Sequence, residues 1–306
     1  NRERNEELKA GLEELLAAFE KEGIDSILLK GAATFVDDLY GAPGARYMGD
    51  LDILVPNDRI ENGREILINL GYEVVPDEDM ELTGHSTDIR HHQIQRYTKA
   101  GTPLAVELHF RLSYGQAGRI ISVDNAWNES LEVKLSERHT RLLSPNHRIH
   151  LNIAHALLPH REFIKGEILL SQLTEFATLV NRYHPSIDWP AAITGIARIG
   201  FSSEASAYAQ LACRYLSCCI EEFNWTKYQD WHLDRVSHTW EKKIANEIAD
   251  IEPVSIQKSL IYRLYYLIQL PNWFWQNVSY ADGYRHLPHR LWFVLTKLFR
   301  WKSWKK

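Results

Sequence analysis

The stretch Arg46-Tyr47-Met48-Gly49-Asp50-Leu51-Asp52-Ile53-Leu54-Val55 constrains this chain more than any other. It reads as a loop feeding a buried strand that Pro56 stops. Side chains alternate across a strand. Asp50, Asp52 and Leu54 therefore share one face, and Leu51, Ile53 and Val55 the other. Two carboxylates leave an otherwise apolar strand side by side. Like charges so close are costly to bury without a cation, and all-oxygen ligation favours magnesium or manganese. The alternative is two acids solvated at a strand end, with no ion. The pair alone does not separate these readings; its surroundings move the balance.

The flanking sequence predicts an α/β unit. Glu6 to Glu22 has an apolar stripe of Leu8, Leu12, Leu15, Leu16 and Phe19, and Gly23 ends it. Ser26 to Lys30 reads as a short strand, and Gly31-Ala32-Ala33 opens a helix to about Tyr40. Asp58-x-x-Glu61 is a capping-box signal for a helix to Leu70, closed by Gly71. Strands follow at Tyr72 to Val75, His91 to Thr98 and Leu104 to Phe110, with a hairpin turn at Lys99 to Thr102. Residues 113 to 128 look irregular, and helical periods dominate beyond them: 146–158, 165–182, 189–199, 203–222, 237–251 and 255–270. Nine of the ten tryptophans fall after residue 180. The expectation is an α+β chain, with a mixed sheet and flanking helices in residues 1–112 and a mainly α-helical domain in residues 113–306.

A net charge of −5 gives the whole molecule no general attraction for nucleic acid. Cys213, Cys218 and Cys219 have no framework spacing and read as reduced core thiols of a cytoplasmic protein. No signal peptide or membrane-spanning apolar run is visible.

Two further pieces can converge on Asp50 and Asp52. Alternation in Leu104 to Phe110 puts Ala105, Glu107 and His109 on one face. Glu107 there is either a third acid of a metal site or a solvent-facing strand acid, the commoner case. His109 is read as a surface histidine in preference to one facing a substrate. The other piece is Lys30-Gly31-Ala32-Ala33, a strand-to-helix turn where backbone N–H groups and the helix dipole favour a phosphate. Lys30 adds a positive charge. Arg46, on the loop at the same strand end, holds a phosphate or pairs with an acid.

The order of a strand, a glycine turn opening a helix and a strand bearing Asp-x-Asp resembles the nucleotidyltransferase superfamily. The segments Leu28 to Ala33, Arg46 to Val55, Gly71-Tyr72, Val106 to Phe110 and Gln172 to Ala177 resemble the bacterial family of uncharacterised nucleotidyltransferases. The resemblance covers roughly residues 24 to 182 and is most specific in the Asp-x-Asp block. It implies Asp50, Asp52 and Glu107 as catalytic and metal-binding residues for Mg2+ or Mn2+, working by two-metal logic. It implies Lys30, Gly31, Ala32, Arg46 and Gly49 as the nucleotide site. An NTP is the implied donor, and a small molecule, peptide or RNA the acceptor. The superfamily usually has a serine after the turn glycine; this chain has Ala32 and Ala33. Phosphoryl transfer, toxin-like RNA modification and a degenerate binding module are the competing readings.

Other features rank lower. His91-His92 with His85 lacks zinc spacing, and Ser86 and Ser171 lack triad partners. His150, His155 and His160 drift around a helix. The basic, aromatic stretch from Arg285 to Lys306 is either a weak membrane or nucleic-acid contact or a last helix with a solvated tail.

Overall fold

A computed structural model of the chain describes residues 1–42, 44–75, 92–113, 117–157, 169–198, 202–218 and 220. All fall within one compact unit, Asn1–Ala245. The helices expected at 237–251 and 255–270, the 285–306 stretch, His85, Ser86, His91 and His160 lie outside the described residues.

Helix α1 (Arg2–Lys21) buries the expected stripe of Leu8, Leu12, Leu15, Leu16 and Phe19. Full burial of each such side chain stabilises by about 1.5–3 kcal/mol. Strand β1 (Ile27–Leu28) leads into α2 (Lys30–Asp37), and β2 (Leu51–Leu54) follows the 41–50 loop. A short 3-10 turn precedes α3 (Ile60–Asn69), whose N-cap makes no side-chain hydrogen bond. The capping box expected at Asp58 is thus not formed. Gly71, at φ +81°, ends that helix as expected. Strands β3 (Tyr72–Val74), β4 (Tyr97–Lys99) and β5 (Ala105–His109) come next, β4 and β5 as an antiparallel pair around the expected turn.

One sequence expectation is corrected at this point. The sheet does not stop before residue 112. After a short helix α4 (Val123–Asn128), strands β6 (Leu131–Leu135) and β7 (Arg138–Leu142) form a hairpin, and β7 pairs parallel with β1. The order across the seven strands is β3-β4-β5-β2-β1-β7-β6. The hairpin escapes periodicity because it is an edge element whose residues are mostly exposed: in β6 only Leu135 is buried.

Both faces of the central strands are covered. Leu28, Leu51, Ile53, Val106 and Leu108 pack with the α1 stripe. Ile27, Leu29 and Leu54 pack on the opposite face with Ile121, Ala126, Leu143 and Leu151. Helices α5 (Pro145–Leu157), α6 (Leu170–Tyr183), α7 (Trp189–Ala197) and α8 (Ser202–Leu216) agree with the helical expectation and build a separate apolar cluster around Ile153, Phe176, Leu211 and Tyr208. Cys213 and Cys218 form no disulfide, and their sulfurs lie 3.5 Å apart. Among the described residues no helix is long and apolar enough to cross a membrane.

Helix α5 carries a pH-sensitive pair. Burial pushes the His147 and His150 imidazoles down from their ordinary value. His150 Nε2 donates to the Ala192 carbonyl at 3.1 Å, and its Nδ1 is buried without a partner. The folded state therefore binds fewer protons than the unfolded chain below about pH 6.5. Stability from this pair is present above that pH and is lost as pH falls through it. Melting between pH 7.5 and 5.5 should show the loss, and His150→Gln should flatten it. An unchanged slope in the variant would contradict this assignment.

Candidate active site

The site grows out of the register between β2 and β5. These strands pair in parallel with Asp52 opposite Glu107 and Leu54 opposite His109. Asp52, Glu107 and His109 accordingly share one face, as alternation requires. Asp50 lies two residues before Asp52, at the end of the loop entering β2. Asp52 is buried, at 3% exposure, and Asp50 is partly buried.

Asp52 Oδ1 receives two donors. Lys30 Nζ approaches to 2.7 Å and His109 Nε2 to 2.9 Å. Because an ionised carboxylate only accepts, the His109 Nε2 carries the proton of that bond. Burial alone would raise the Asp52 carboxyl. The Lys30 ammonium and the His109 hydrogen bond outweigh burial and hold it well below the usual carboxylate range. Lys30 answers in kind. Burial alone would lower its ammonium, but Asp52, then Glu107 and Asp50, keep it above the ordinary lysine value.

Asp50 shows the unresolved charge. Burial, then repulsion from Asp52 and Glu107, push it up to about 6, against a weak pull from Arg96 at 3.7 Å. An acid in this position destabilises the ion-free fold whenever it is ionised. We expect Asp50→Asn to raise the stability of the metal-free protein at pH 7 by about 1 kcal/mol, allowing for the one-third exposure of the carboxyl. Thermal melting after chelation measures it, and a clear loss of stability would contradict the repulsion.

Of the expected ligands Asp50, Asp52 and Glu107, the last two meet closely, and His109 joins them. Candidate metal-ligating atoms of Asp52, Glu107 and His109 all lie within 4.8 Å of one another among the described residues, and Asp50 is not in that group. The donor chemistry fits a divalent cation: the carboxylates of Asp52 and Glu107 meet beside the His109 imidazole, and Asp50, lifted by burial and then by repulsion from those two acids, adds negative charge nearby. His109 is fully buried, not the surface histidine expected. Segment 92–94 pairs alongside β5, with Gln93 bridging His109: Phe110 N–H donates to the His92 carbonyl at 3.0 Å, and Gln93 Nε2 donates to Glu107 Oε2 at 2.8 Å. The His92 and His109 rings lie 5.0 Å apart, and burial, then His109 and Lys30, push His92 down to about 2.

The glycine turn lies between β1 and α2, where the sequence placed it. The left-handed residue is Lys30, at φ +43°, and not Gly31. A Cβ at Gly31 would stand 3.1 Å from the Met48 sulfur and 3.8 Å from the Arg46 guanidinium carbon. The bare glycine thus lets the 46–48 loop close over the helix start. Ala32 is buried beneath it, and the Thr34 hydroxyl donates back to the Gly31 carbonyl. Arg46 does not stand free. Its Nη1 is 2.6 Å from Glu175 Oε2 on α6 and 3.3 Å from the Tyr40 hydroxyl. Burial, then Glu175, lift the Tyr40 phenol to about 12. The Gly49 carbonyl accepts from Arg4 and Arg96, which fixes the strand entry just before Asp50.

Sequence reasoning missed Gln93, Arg96 and Glu175. Nothing local marks Gln93 or Arg96, because the strand expected at His91 to Thr98 alternates too weakly to show which of its side chains meet β5 and the β2 entry. Glu175 had one signal, a carboxylate inside an apolar helical stripe between Leu173 and Phe176. His155, one candidate for the site side of its helix, bonds Gln172 through Nδ1 at 2.7 Å.

Several known proteins are similar. The solution structure of the antibiotic-resistance factor ANT(2'')-Ia shares 14% identity at a TM-score of 0.41, over 68% of this chain and 97% of that one. An antigenic nucleotidyltransferase-like protein from Paracoccidioides brasiliensis shares 15% at a TM-score of 0.38, over 65% and 92%. A tRNA nucleotidyltransferase complexed with a primer tRNA and an incoming ATP analogue shares 15% at a TM-score of 0.30, over 95% and 87%. No curated protein matches the chain. A family model described as "Uncharacterised nucleotidyltransferase" matches residues 1–217, more than two thirds of the 306-residue chain. On that match the chain belongs to the uncharacterised nucleotidyltransferase family.

Proposed function

We propose that the protein transfers a nucleotidyl group from an NTP to an acceptor hydroxyl or amine, with Mg2+ or Mn2+ as cofactor. The observation that carries this reading is the pairing of Asp52 with Glu107 across two parallel strands, with Asp50 on the same strand entry. A binding module would have no use for three mutually repelling acids on a covered sheet face.

In this reading Asp50, Asp52 and Glu107 hold the metal. A divalent ion there would supply Lewis-acid activation of the acceptor and charge stabilisation of the departing pyrophosphate. His109 fixes the Asp52 carboxylate by its Nε2–H, and Gln93 fixes that of Glu107. Lys30, Gly31, Ala32, Arg46 and Gly49 receive the triphosphate at the start of α2. The chemistry centres on β2, β5 and the start of α2, and helices α5 to α8 select the acceptor, which is a small molecule, a peptide or an RNA.

The test is incubation of purified protein and Mn2+ with each NTP, labelled at the α or at the γ phosphate, and candidate acceptors. Label from the α position in the acceptor, with release of pyrophosphate, is the expected result. Label only from the γ position would replace nucleotidyl by phosphoryl transfer.

A further inference from the structure

The two cations expected to meet phosphate are both held by carboxylates: Arg46 by Glu175, and Lys30 by Asp52. Lys30 is the one inside the acid cluster. Its ammonium is 2.7 Å from Asp52 Oδ1, an oxygen already bonded by His109 Nε2 at 2.9 Å. A divalent ion ligated by the same carboxylate would sit beside a fixed positive charge and be repelled by it. The side chain is 20% exposed, so it reaches the buried acid from the rim of the site. Its backbone is left-handed, φ +43°, which an L-residue adopts only when the surrounding turn enforces it. That conformation starts α2, whose N-cap makes no side-chain hydrogen bond and whose first-turn N–H groups have no partner within the helix.

We propose that Lys30 is a resident cation that makes metal and nucleotide binding depend on each other. Without nucleotide, its ammonium neutralises Asp52 and disfavours a divalent ion. When a triphosphate enters at the start of α2, the ammonium passes from Asp52 to phosphate oxygens, and the acids accept the metal. Lys30 thereby selects ligands that bring a polyphosphate and a divalent ion together. The inference rests on the nucleotidyl-transfer reading above and adds a coupling that reading does not require.

The experiment measures Mn2+ binding by electron paramagnetic resonance on the full chain as wild type, Lys30→Met and Lys30→Gln. Each is measured alone and with an α,β-methylene NTP analogue. Without analogue, both variants should bind Mn2+ about tenfold or more tightly than wild type. The analogue should tighten Mn2+ binding more in wild type than in either variant. The metal-free Lys30→Met protein should melt lower than wild type and recover with Mn2+. If Lys30→Met does not fold, Lys30→Gln retains a donor to Asp52 and gives the same comparison. Equal Mn2+ affinity in all three proteins, or equal tightening by the analogue, overturns the coupling while leaving the metal-dependent reading intact. No Mn2+ binding in any of them, even with analogue, overturns both.

Discussion

Glu107→Gln is expected to reduce turnover by about 10³-fold or more, close to 4 kcal/mol of transition-state stabilisation, with nucleotide affinity near normal. The side chain faces Asp52 across the β2–β5 ladder. Its Oε2 accepts from Gln93, and a glutamine amide can offer its own oxygen to that donor. The substitution therefore removes a charge and leaves the shape. Removing that charge also relieves part of the repulsion that lifts Asp50, so the metal-free variant should melt at the same temperature or slightly higher. Equilibrium binding of an NTP analogue, single-turnover transfer and melting after chelation separate the three effects. Retained activity on an identified acceptor would end the three-carboxylate mechanism. A large loss of stability would show that Glu107 holds the fold and not an ion.

How far the site was legible follows from what each part depends on. Asp50, Asp52 and Glu107 were readable because a strand's two-residue period fixes faces, and both strands carry apolar residues on the opposite face. The parallel register that sets Asp52 against Glu107 is a long-range fact, and no local pattern contains it. His109 was visible on the right face, yet its burial is a tertiary fact, with segment 92–94 bridging β5 at Gln93 and the His92 ring 5.0 Å away. The β6–β7 hairpin was missed because an exposed edge ladder needs no apolar alternation. The glycine turn was placed correctly, but the left-handed backbone at Lys30 and the close approach of Met48 to Gly31 depend on the 46–48 loop and are not written in the local sequence. Arg46 was legible as a cation near the strand entry. Its partner Glu175 is 129 residues away, beyond any sequence window.

The largest effect on stability is expected at the other end of α2. Asp37 accepts from Arg148 Nη1 on α5 and from the Tyr183 hydroxyl on α6, the latter at 2.8 Å. The Asp37 and Arg148 side chains are only 8% and 7% exposed, and the guanidinium packs over the Tyr183 ring at 5.6 Å. Water cannot replace a missing partner there. Asp37→Leu leaves a buried guanidinium without its counter-charge and should cost about 3–5 kcal/mol. Arg148→Met strands the carboxylate and should cost a similar amount. The pair itself is a different matter, because the desolvation of both ions offsets most of their attraction. The double variant Asp37→Leu/Arg148→Met should therefore recover most of what either single change loses. Denaturant melts of the four proteins give the coupling directly. Additive losses in the double variant would mean that each side chain stabilises the fold through other neighbours. Recovery of stability has a second consequence, because α2 begins at the Lys30–Gly31 turn and ends at Asp37. If the ion pair sets the placement of α2, the recovered double variant should still bind an NTP analogue more weakly than wild type. If it binds equally well, apolar packing of Ala32 and Ala33 under the sheet is enough to place the turn.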